Sequence, residues 1–222
     1  MDHHEPIRPA ADEPPADWAV LPGQPHPTVW RAQPAQQPGS LSPGVARRLL
    51  QERTQRGDVV LDLDDDIAFA ATAAVTGRRS HALGGDQHLA AMGHAADMVD
   101  LILLHWPRPA VDPHWLLTAC WSLAGAAGWV VIAVDSTLGQ RVAHLSALAG
   151  AAATVGLRTA EHVAVIAPDP KPPQDPRPGA ATPVAGPDRH HGCFPAEAQL
   201  IAGAVGPHLD LLVLAPEEAG DE

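Results

Sequence analysis

The chain has 222 residues, room for one sizeable domain with tails, and 45% of them are hydrophobic, enough for a packed core despite 24 prolines and 19 glycines. A formal charge of −12 argues against tight, unaided binding to nucleic acid, because phosphate is normally met by a basic footprint. Cys120 and Cys193 are the 2 cysteines and make no disulfide framework, and the acidic, Pro-rich start and the lack of a long apolar span predict a soluble cytoplasmic protein without membrane contact.

Residues 1–40 are rich in Pro, Gln and Ala, with Trp18 and Trp30 as their large apolar anchors. An arm results, disordered or pinned by those tryptophans. "SPGVARRLLQERTQRGD" then reads as a helix: Ser42 can cap it, Pro43 suits the first turn, and Gly57 ends it. From Asp58 the pattern alternates between apolar runs and alanine-rich helical stretches. "DVVLDLD", "SHALGGD", "MVDLILLHWP", "WVVIAVD" and "RTAEHVAVIAP" read as strands, with helical segments between them. Near-continuous apolar strands alternating with helices mean a mostly parallel sheet covered on both faces. Residues 169–192 are a Pro-rich excursion without core capacity, and "LDLLVLAP" is a last strand before the acidic tail of residues 217–222. No helix of the usual crossover size precedes that strand, so it pairs most simply antiparallel to its predecessor. A single α/β domain over residues 41–216 is the expected organisation, with the final pair at one edge of the sheet.

Chemistry gathers at two strand ends. "VVLDLDDDI" delivers Asp62, Asp64, Asp65 and Asp66 directly into a helix and contains no glycine. Such a cluster reads as a solvated loop with a helix cap, a metal site, or a hydrogen-bond anchor. "HHGC" (His190, His191, Cys193) has zinc-type ligands, but its spacing fits no common site, so a plain loop is expected there. The tryptophans at 115, 121 and 129 fall on or beside core elements and read as packing.

The aspartates resemble the first motif of haloacid-dehalogenase-type phosphatases, in which Asp62 would be nucleophile and Asp64 the acid. That family needs a core lysine, whereas Lys171 lies in the Pro-rich excursion, and it needs a flap after the strand, whereas here a helix follows at once.

A broader resemblance spans most of the chain, to class I S-adenosylmethionine-dependent methyltransferases and, within them, to DNA methylases of exocyclic amino groups from GC-rich bacteria. "RRLLQERTQRGDVVLD" is similar to that family's helix, turn and first strand, and "TVWRAQPAQQPG" to the arm before it. "SHALGGD" places Asp86 where the ribose hydroxyls would be bound, and "ADMVDLILLHWP" resembles the strand carrying the catalytic tetrapeptide. "GLRTAEHVAVIAP" and "HLDLLVLAP" resemble the paired final strands. The resemblance implies a Rossmann-like methyltransferase sheet, mostly parallel with an antiparallel C-terminal strand. The stretch between "SHALGGD" and "VDLILL" is short, so that sheet can lack one edge strand.

The departures fall at the chemistry. The family's glycine loop reads Leu63, Asp64, Asp65, Asp66, Ile67, Ala68, Phe69 and Ala70, with both glycines gone and negative charge facing the cofactor's carboxylate. The tetrapeptide that holds a flipped base's amino group reads His105, Trp106, Pro107 and Arg108. His105, Trp106 and Pro107 are thus degenerate catalytic positions, and Asp62, Asp64 and Asp86 vestigial cofactor positions. The expectation is a non-catalytic protein that acts through a protein partner, binds no cofactor and touches DNA weakly. Arg47, Arg48, Arg53 and Arg56 would form the patch if DNA is bound. The alternative is an active methyltransferase using S-adenosylmethionine, and a phosphatase is third.

Overall fold

The computed structural model describes residues 26–33, 35, 37, 39–84, 88–89, 92, 98–124, 127–135, 138–168 and 209–217. Among the described residues there are seven strands: β1 (Thr28–Arg31), β2 (Val59–Asp62), β3 (Arg79–Ala82), β4 (Leu101–Trp106), β5 (Trp129–Val134), β6 (Leu157–Ile166) and β7 (Leu209–Pro216). Among the described residues, four helices connect them: α1 (Pro43–Arg53), α2 (Ile67–Val75), α3 (Pro113–Ala124) and α4 (Leu138–Thr154).

The strands form one sheet in the order β1-β6-β7-β5-β4-β2-β3. All neighbours are parallel except β7, which runs antiparallel to both β5 and β6. This is the Rossmann-like methyltransferase sheet, with its reversed strand slotted between the fifth and sixth. "VVLD", "LILLHW" and "WVVIAV" lie side by side because their runs are apolar on both faces, and helices cover each face. Leu61, Ile102, Leu104, Ile132 and Leu212 pack against α3 and α4 on the first face. Val60, Leu101, Leu103, Val131 and Val213 pack against α1 and α2 on the second.

Local sequence sets the helix ends. Ser42 caps α1 and Pro43 opens it. The helix stops at Arg53, where the Thr54 hydroxyl and the Arg78 guanidinium take up the Leu50 carbonyl, and Gly57 makes the following turn at φ 93°. Gly128 sits where a Cβ would come within 2.4 Å of the Ala124 carbonyl, so only glycine lets β5 leave α3 at this angle.

Two expectations need correction. The closing pair β6–β7 is not at the edge, because β1 lies outside β6 and parallel to it, from Thr28 beside Val163 to Arg31 beside Ile166. Residues 28–31 therefore belong to the sheet, and the structured domain begins before residue 41. Trp30 explains this: its ring is buried in the second-face core, with the Arg48 guanidinium 4.3 Å from the ring centroid. Trp18, Lys171 and the "HHGC" residues lie outside the described residues. At the opposite edge, no described strand pairs with the outer side of β3. Among the described residues no helix is long and apolar enough to cross a membrane.

Candidate functional site

Parallel strands deliver their loops to one end of a sheet, and here β2 and β4 deliver the aspartates and "HWPR" side by side. Each aspartate has its own work. Asp62 is fully buried, and its two oxygens accept the main-chain N–H groups of Asp64 at 3.0 Å and Asp66 at 2.5 Å. Burial raises its pKa above 3.8, opposed by those two hydrogen bonds and reinforced by the neighbouring Asp64 and Asp66 charges. Asp66 caps α2 by accepting from Ala68 N and Phe69 N, and the same carboxylate accepts the Ser40 hydroxyl at 2.6 Å and Leu41 N at 2.8 Å. It thereby ties the start of α2 to the segment entering α1. Asp65 bridges the two in the left-handed region, at φ 56°.

Asp64 reaches across to β4. Its Oδ2 accepts the His105 main-chain N–H at 2.7 Å and lies 3.2 Å from His105 Nδ1, while Oδ1 pairs with Arg108 Nη2 at 2.5 Å. Arg108 closes the ring by donating from Nε to the His105 carbonyl at 3.0 Å. Partial burial would raise the Asp64 pKa, but the His105 hydrogen bonds and the Arg108 charge outweigh it and hold the carboxyl below 3.8. A carboxylate only accepts, so Nδ1 is the protonated nitrogen of His105 in this contact. His105 Nε2 is buried and finds no hydrogen-bond partner among the described residues. Trp106 turns to the opposite face, where it packs in the first-face core with its ring edge-on to His144 at 6.4 Å. Pro107 follows through a cis peptide bond and is exposed. Asp86 lies outside the described residues.

No family model matches, and no curated protein matches. Solved structures that resemble it are methyltransferases at low identity. One is a SAM-dependent methyltransferase from Archaeoglobus fulgidus, with 12% identity, 78% of this chain and 94% of that chain covered, and a TM-score of 0.47. Another is geranyl diphosphate C-methyltransferase from Streptomyces coelicolor, with 14% identity, coverage of 54% and 63%, and a TM-score of 0.40. A third is the 16S rRNA N2 G1207 methyltransferase of T. thermophilus, with 15% identity, coverage of 90% and 44%, and a TM-score of 0.36. This chain spans less than two thirds of the length of the second and less than half of the third.

The arrangement brings Asp62, Asp64, Asp66, His105 and Arg108 together and sends Trp106 elsewhere. Asp62 has both oxygens on main-chain donors and no exposed surface, so it is no nucleophile, and the four-residue step from β2 to α2 holds no flap. Among the described residues no group of three or more His, Cys, Asp or Glu is placed to hold a metal ion. Of the four arginines on or just after α1, Arg48 is engaged with Trp30 and Glu52, and Arg53 with Glu161 and Trp129.

Sequence reading passed over a second polar group at the same end of the sheet. Asp210 on β7 lies beside Val134, the last residue of β5, and pairs with Arg141 of α4 at 2.8 Å and His162 of β6 at 2.9 Å. All three are buried. The signal was one aspartate inside "LDLLVLAP" and one histidine inside "EHVAVIA", polar residues that an apolar strand accommodates only when paired.

Proposed function

We propose that this protein is a degenerate, non-catalytic relative of the S-adenosylmethionine-dependent amino-methylases, acting through protein contacts. The observation carrying the reading is the Asp64 bridge to His105 and Arg108. In the family it resembles, the loop after the first strand and the tetrapeptide after the fourth face each other across the reacting methyl group. Here one carboxylate ties them together and an arginine neutralises it. The loop's backbone is likewise committed: the N–H groups of residues 64, 66, 68 and 69 all point at Asp62 or Asp66. A cofactor carboxylate approaching this loop meets carboxylates where it needs donors.

The "HWPR" stretch also argues against stacking of a flipped base. Trp106 is a core residue, and Arg108 at the stacking position is held in the Asp64 ring. DNA contact under this reading is weak and indirect, because Arg48 and Arg53 are engaged within the fold.

One observation favours the alternative, an active methyltransferase. His105 Nε2 is buried and unpartnered among the described residues, and a neutral ring nitrogen can accept from a substrate amino group. Methyl transfer from labelled S-adenosylmethionine to DNA, RNA and protein substrates separates the two. The proposal expects no incorporation by the wild type; incorporation that disappears in His105→Ala would establish the active enzyme instead.

A further inference from the structure

Among the described residues, the β3 edge of the sheet lacks partners on three sides at once. On the second face α2 carries no ionisable residue from Ile67 to Val75, and its outward surface is Ile67, Ala71, Ala74 and Val75, with Ile67 78% and Val75 75% exposed. A helix apolar around its whole circumference is normally buried on every side. At the edge itself, β3 pairs with β2 on its inner side and offers the outer side of four residues of main chain to which no described strand pairs. An unprotected edge of this kind is a template for another strand. On the first face, a cleft of about 490 Å³ is lined by Val59, Leu61, Met92 and Met98 beside Arg79 and His81, and Met98 is exposed. Ser80, turned to the other face, has its hydroxyl buried without a hydrogen-bond partner among the described residues.

We infer that this edge is a two-fold interface with a second copy of the same chain, built by antiparallel pairing of β3 with its counterpart and by packing of α2 on α2. The inference goes beyond the non-catalytic reading and does not depend on whether the aspartate loop binds a cofactor. Charge complementarity selects a second copy as the occupant. The N-terminal end of α2 carries the exposed carboxylate of Asp65. Its C-terminal end opens on a polar hollow lined by Arg47, Gln51 and Arg56 beside Val75. Two-fold pairing of β3 sets the two α2 helices antiparallel, so the acidic end of each faces the arginines of the other and their dipoles oppose. Ala71 and Ala74 then lie near the axis, where small side chains let the helices approach closely.

Area requires all three features together. A stable interface needs roughly 800 Å² per partner, and a nine-residue helix is only about 13 Å long. The helix face alone falls short. The strand edge and the methionine-lined cleft carry the patch around to the first face, giving each copy contacts on both sides of a continuous sheet.

The test is sedimentation of the full chain at about 100 µM, a concentration at which a modest interface of this size is populated. Twice the chain mass is expected for the wild type and the single mass for Ala71→Arg, whose site is exposed in the monomer. Should that variant fail to fold, Ala71→Cys gives an independent reading: without reductant it should form a covalent dimer within the wild-type dimer, because the two positions meet near the axis. A wild type that stays monomeric at that concentration overturns the inference. So does a dimer that Ala71→Arg leaves intact and Ala71→Cys fails to link.

Discussion

The aspartate loop and the β3 edge look wrong in opposite ways. The loop holds four carboxylates within five residues, which reads as a reactive site, yet Asp62, Asp64 and Asp66 all accept hydrogen bonds from the protein itself. The edge holds apolar side chains that read as core, yet Ile67, Val75 and Met98 face outward. The difference teaches that residue type alone does not mark a site. Polar atoms whose partners are all internal belong to the architecture, whereas apolar surface without partners among the described residues points to a further contact.

The largest expected effect breaks the loop side of the contrast. Asp66→Ala removes the α2 cap, worth about 1 kcal/mol, and strands the buried Leu41 N–H at a further cost of about 2 kcal/mol. Urea unfolding should therefore show a loss of about 3 kcal/mol, the sum of the cap and the stranded donor. A loss under about 0.5 kcal/mol, the range of an ordinary surface substitution, would mean that the aspartates are not structural.

Acid titration is the next test, because Asp62 and Asp64 act with opposite signs. Asp64 is held below 3.8, so its contribution is complete above that value and is lost as pH falls through the lowered one. Asp62 is raised above 3.8, so the folded state gains its proton first and gains stability as pH falls through the raised value. Arg108→Ala should cost about 1.5–3 kcal/mol at neutral pH, the worth of a charged hydrogen bond, and should flatten the acid limb measured between about pH 5 and pH 2. An acid limb identical to that of the wild type would show that the Asp64 ring contributes nothing.

On the edge side the expectation is an absence of effect. Ile67→Ser should change monomer stability by less than about 0.5 kcal/mol, although it replaces a large apolar residue, because the side chain is exposed. A larger loss in dilute solution would place Ile67 in the monomer's own core. The smallest expected effect returns to the loop: Asp65→Gly relieves a left-handed backbone and should gain about 0.5 kcal/mol in thermal unfolding.

Most of the sheet was legible in the sequence because its central strands are unbroken apolar runs, and "VVLD", "LILLHW" and "WVVIAV" declare burial on both faces. β1 was not, since four residues inside a Pro- and Gln-rich stretch carry no period, and only the burial of Trp30 reveals its place. At the site, the loss of the glycines and the change of tetrapeptide could be read directly. The consequence could not: nothing in the spacing of Asp64 and Arg108, 44 positions apart, announces their ion pair. The Asp66 link to Ser40 and Leu41, and the buried group of Arg141, His162 and Asp210, are likewise products of tertiary folding.

The central claim is that Asp62, Asp64 and Asp66, with the N–H groups of residues 64, 66, 68 and 69, are occupied by the fold and leave the loop unsuited to a cofactor. Calorimetric titration of the wild-type protein with S-adenosylmethionine tests it most directly. The account predicts affinity no better than about millimolar, roughly 4 kcal/mol of binding free energy. Micromolar affinity, weakened by changing Asp62 or Asp86, would contradict it and make the loop a working cofactor site.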